Sequence, residues 1–132
     1  MRRSLFVEQG GKKISGYKEL EVYRGAYQLA LELHQITMKR FPHNEQFELA
    51  SQLRRASKSI AFNIAEGYGK MKNSKQEFIR FLYMAMGSAN EVAVQLEFSK
   101  DLGYVKEAEY AELADRCDKI GRQINRLIES QK

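Results

Sequence analysis

Few side chains in this sequence could do covalent or metal chemistry. The two histidines are His34 and His43, and the one cysteine is Cys117. A di-iron centre in a helical bundle needs carboxylates paired with Glu-x-x-His segments. Glu32 stands two residues before His34, which is the wrong spacing. His43 follows Pro42 and reads as a solvated turn residue. No Cys or His cluster has zinc spacing, and Cys117 has no base or oxyanion donor beside it. Gly67-Tyr68-Gly69-Lys70 follows a helix and lacks a phosphate-loop pattern. These readings argue against an enzyme and imply no metal and no cofactor.

What remains is charge. Arg54, Arg55, Lys58, Lys70, Lys72 and Lys75 form a basic band whose one anion is Glu66. Neutralising phosphates with such cations releases counterions, so RNA or DNA is a candidate partner. The arginines have a second reading. Their planar fork suits structural pairing with Glu48, Glu66 or a neighbouring subunit's carboxylate such as Glu91. The lysines are the better phosphate ligands. Phe62 or Tyr68 beside them could stack on a base, but packing is the simpler account of both.

Positioning these residues falls to four helical segments. The first is predicted from about Lys18 to Arg40, ended by Phe41-Pro42-His43 because proline lacks an amide donor and restricts its predecessor. Asn44 is read as the N-cap of the second, which runs to about Glu66. Gly67 and Gly69 are expected to end it with positive φ. Ser74-Lys75-Gln76-Glu77 reads as a capping box opening the third. That helix runs to about Leu102, with Gly103 and Tyr104 as a Schellman ending. The fourth runs from about Lys106 to Glu129. Short loops between amphipathic helices predict an all-α, antiparallel up-down four-helix bundle over residues 17–132. Residues 1–16, with Gly10, Gly11 and Gly16, read as a flexible basic arm.

The apolar faces differ between helices. The fourth is one-sided, with Leu113, Cys117, Ile120, Ile124 and Ile128 on one face. The third has a full core stripe, including Phe78, Leu82, Ala85, Val92 and Leu96, and a second stripe of Tyr83, Met84, Gly87, Val94 and Phe98. In the second, Phe62 points away from Leu53, Ile60 and Ile64. In the first, Leu20, Tyr27, Leu31 and Met38 lie off the core edge. A monomeric bundle has one inside, so a second apolar stripe asks for a partner. Self-association through Phe62, Tyr83, Met84, Gly87, Val94 and Phe98 is the reading taken, with a groove for a different protein as its competitor.

The run Gln52-Leu53-Arg54-Arg55-Ala56, with Ser59-Ile60 and Asn63-Ile64-Ala65-Glu66-Gly67, resembles the signature of the 23S rRNA-intervening-sequence proteins. Leu20-Glu21-Val22-Tyr23, Phe78, Phe81-Leu82, Ala85-Met86-Gly87-Ser88 and Glu91 add to it. The resemblance implies a four-helix bundle assembling into a homopentamer. The family's name records where its genes were found, and no activity.

Composition fits this picture. With 43% hydrophobic and 30% charged residues, the 132-residue chain reads as one soluble globular domain. The formal net charge of +5 is a modest basic excess that agrees with, and does not by itself require, an acidic partner. No apolar run spans a membrane, and Arg2-Arg3 precedes only Leu5-Phe6-Val7, too short for a signal peptide. A single cysteine suits a reducing, cytoplasmic setting. The functional expectation is a non-enzymatic oligomeric accessory protein associated with nucleic acid, RNA foremost; the alternative is a scaffold that binds another protein.

Overall fold

A computed structural model of the chain describes residues 8, 9 and 12–132. Four helices carry the fold: α1 Glu21–Arg40, α2 Leu49–Lys70, α3 Lys75–Asp101 and α4 Glu107–Gln131. Two short strands precede them, β1 Glu8–Gln9 and β2 Lys12–Lys13, paired antiparallel.

The helices pack as a bundle whose neighbours run antiparallel. Arg40 at the end of α1 pairs with Glu109 at the start of α4, while Glu32, earlier in α1, meets Arg116 further along α4. Ser59 of α2 hydrogen-bonds Ser88 of α3 at 2.8 Å, and Gly67 lies against Phe78 and Phe81. Cys117 Sγ of α4 donates to the Ala89 carbonyl of α3 at 3.2 Å. Gly121 of α4, one turn past Cys117, lies beside Met86 of α3. In each pair, partner numbers fall on one helix as they rise on the other. Leu29, Leu33, Leu53, Ile60, Ile64, Phe78, Leu82, Leu96, Ile124 and Ile128 fill the interior. Each such side chain contributes roughly 1.5–3 kcal/mol by leaving water.

Two caps form as expected. Ser74 Oγ accepts from the Glu77 amide at 3.1 Å. Its reciprocal half is missing, because the Glu77 carboxylate is held by Arg80 at 3.0 and 3.1 Å. At the other end of α3, Gly103 takes φ +82°, and the amides of Gly103 and Tyr104 donate to the carbonyls of Lys100 and Ser99. That is a Schellman ending.

Other expectations need correction. Asn44 does not cap α2. It lies in a 3-10 turn, His43–Glu45, and α2 begins at Leu49. Gln46 occupies the corner instead, donating to the carbonyls of Thr37 and Phe41 at 2.8 and 3.0 Å. It satisfies acceptors that the end of α1 leaves open. Gly67 and Gly69 do not terminate α2, which continues to Lys70. Gly67 is there for closeness: a Cβ on it would stand 2.7 Å from Phe81 Cβ. Leu20 is buried, because a 3-10 turn over Tyr17–Glu19 folds it under the first turn of α1. The boundary drawn at residue 17 also cuts through a packed segment. Ile14 is buried in the core, Tyr68 Oη donates to its carbonyl at 3.0 Å, and Ser15 bonds Glu19. Of the segment read as a flexible arm, residues 1–7, 10 and 11 lie outside the described residues.

Candidate nucleic-acid interface and assembly surface

The basic band divides by helix angle. Arg54 faces the α1–α2 corner, half-buried. Its guanidinium donates to Thr37 Oγ1 at 3.1 Å, to Gln46 Oε1 at 3.1 Å and to the Gln46 carbonyl at 3.0 Å. Those partners are neutral, and among the described residues of its own chain Arg54 has no carboxylate partner. It braces the residue that closes the end of α1. Arg55, one position on, is rotated about 100° away and is exposed. Lys58 is half-buried beside His34.

Lys70, Lys72 and Lys75 gather at the α2–α3 turn. None of the three has an ion-pair partner among the described residues. The nearby carboxylate, Glu77, is committed to Arg80, whose bonds hold it below the usual carboxylate range. Lys70 also lies over the Phe81 ring at 5.9 Å. Lys70 and Lys72 are exposed and Lys75 is half-buried at this end of the bundle. Tyr68 is not free to stack: it packs edge-on against Phe78 and bonds Ile14.

The second apolar stripe faces outward. Phe62 is 67% exposed and Phe98 57%, and Tyr83, Met84, Gly87 and Val94 are exposed with them. Phe62 also borders a pocket of about 300 Å³ between α1 and α2, walled by Tyr27, Ala30, Leu31 and Ala61. His34 Nδ1 is buried at this pocket without a hydrogen-bond partner. Burial holds the imidazole below its ordinary pKa, and Lys58 and Arg54 add to that push. Between Phe62 and the α3 stripe runs a polar groove that includes Arg55, Ser59, Ser88 and Glu91.

Sequence reasoning missed Phe47, which is 86% exposed at the α1–α2 corner. Starting α2 too early had placed it inside a helix. It also missed the Gln46–Arg54 network, whose members come together only in three dimensions.

Nucleophilic chemistry finds no support at Cys117. The thiol is buried, donates to a carbonyl, and is pushed up to about 11 by burial. Among the described residues no three His, Cys, Asp or Glu side chains converge as metal ligands, and no helix is long and apolar enough to cross a membrane.

The model of the 23S rRNA-intervening sequence protein family matches residues 18–126. The chain belongs to that family. Its match spans the first three helices and most of α4, including the Arg54–Lys75 band and both stripes of α3. A solved structure from Bacteroides thetaiotaomicron, described as a protein of unknown function from the S23 ribosomal protein family, is similar over 82% of this chain and 98% of that one. It is 22% identical, with a TM-score of 0.74, and supports the bundle fold alone. No curated protein shows significant similarity to this chain.

Proposed function

We propose that this family member is a non-catalytic, self-associating accessory protein that holds nucleic acid, single-stranded RNA foremost, on the lysines of the α2–α3 turn. The observation that carries the reading is that, among the described residues, Lys70, Lys72 and Lys75 have no ion-pair partner and lie beside a carboxylate already taken by Arg80. Unpaired surface cations cost little desolvation when they meet phosphate, and each contact releases counterions. Self-association through α2 and α3 multiplies the patch. In the homopentamer that the family resemblance implies, five such patches would share one assembly. A cytoplasmic setting belongs to the same reading, since the one cysteine is a buried free thiol.

The adaptor reading draws on a different feature. Phe47 and Leu102 are both exposed at the opposite end of the bundle, where the Tyr104 ring packs tilted against Phe41 and its hydroxyl donates to Glu45. An apolar end of that kind suits a protein partner.

Filter binding across a salt series separates the two. Replacing Lys70, Lys72 and Lys75 together by Ser is expected to weaken RNA binding and to lower the slope of log K against log salt by about 2. Arg54→Ala is the control: it should lower stability and leave that slope unchanged. Negligible binding of single-stranded RNA and duplex DNA at about 50 mM salt, or an unchanged slope in the triple variant, would remove the nucleic-acid reading.

A further inference from the structure

We infer that the polar α2–α3 groove is completed by a second copy of this chain, with Arg55 of one copy seated on Glu91 of the next. The inference rests on the self-association reading above and names the residues that set its register.

The groove has a volume of about 450 Å³. Arg55 stands on its α2 wall and Glu91 on its α3 wall, both exposed, and among the described residues neither has an ion-pair or hydrogen-bond partner. Gln95, one turn after Glu91, lines the same wall with its Oε1 turned into the chain. Phe62 on one side and Met84, Val94 and Phe98 on the other border this polar strip with exposed apolar surface.

An exposed carboxylate in such a groove calls for a planar group with several donors. A guanidinium supplies five in one plane, enough to fork onto the Glu91 carboxylate. The chain's own Arg55 does not make that bond, but each copy has one such group to give and one such acceptor to receive. A polar pair inside an apolar surround is also how charge fixes register while apolar contact supplies affinity.

Sedimentation velocity at micromolar concentration tests this with Arg55→Glu, Glu91→Arg and the double variant that carries both. Both positions are exposed in the single chain, so circular dichroism should report unchanged helix in each variant. Each single reversal places like charges together and is expected to weaken assembly roughly 100-fold. Combining the two in one chain should restore it, because every copy then meets the opposite charge on its neighbour. Single variants that assemble like wild type would overturn the pairing, as would a double variant that stays as dissociated as the single ones. A wild-type monomer would instead overturn the self-association reading on which the pairing rests.

Discussion

A guanidinium carries five N–H donors in a plane, and where they point decides whether an arginine belongs to the fold or to a surface. Arg54 makes three bonds to Thr37 and Gln46, whereas its neighbour Arg55 makes none among the described residues. The band was legible as charge in the sequence. The partition was not, because Gln46 reaches Arg54 only after the α1–α2 corner has formed. Cys117 illustrates the opposite case: its place on an apolar helical face already marked it as a small core residue. Its thiol holds its proton to about 11. In the unfolded chain an ordinary thiol ionises near pH 8.5. Folding stability attributable to this group is therefore intact below about pH 8.5 and declines as pH rises toward 11. Alkylation with iodoacetamide should stay slow and nearly flat from about pH 7 to about pH 9 in the folded protein, and rise steeply over that range in denaturant. Rapid modification of the native protein would show the thiol to be accessible.

Helix existence was readable from apolar spacing and proline, and the α3 caps from Ser74 and Gly103. Boundaries of α2 were not. Asn44 looked like a cap, yet the corner is satisfied by Gln46, a longer amide that sequence rules do not favour there. Gly67 looked like a terminator, yet its conformation is helical and its role is contact. This assignment gives opposite outcomes for two glycines in one helix. Gly67→Ala drives a methyl group to 2.7 Å from Phe81 Cβ and should destabilise the protein by about 1–3 kcal/mol. Gly69→Ala meets nothing within 4 Å and should stabilise it by up to about 1 kcal/mol, as alanine replaces glycine inside a helix. Urea titrations measure both. Equal effects of one sign would mean that helix propensity, and not the α2–α3 approach, governs Gly67.

The bundle as a whole has one interior but more than one apolar surface. Phe62, Met84, Val94 and Phe98 are exposed on the same broad face as the Arg55–Glu91 groove, while the free lysines sit at the end where α2 turns into α3. In the proposed function, this separation assigns one face to joining copies and another to phosphate. The two-faced character of α3 was visible in its sequence, because the angular positions of Tyr83, Met84, Val94 and Phe98 follow from helical geometry alone. Which residues lie opposite one another across a groove depends on how α2 and α3 pack, and needed the structure. The central claim is that an assembled protein binds RNA by charge. Sedimentation velocity of the wild-type chain with single-stranded RNA, at about 50 mM and about 500 mM salt, tests it directly. The account predicts an oligomer in both conditions, with RNA co-sedimenting at low salt and released at high salt. A monomer that leaves the RNA boundary unmoved at low salt would contradict it.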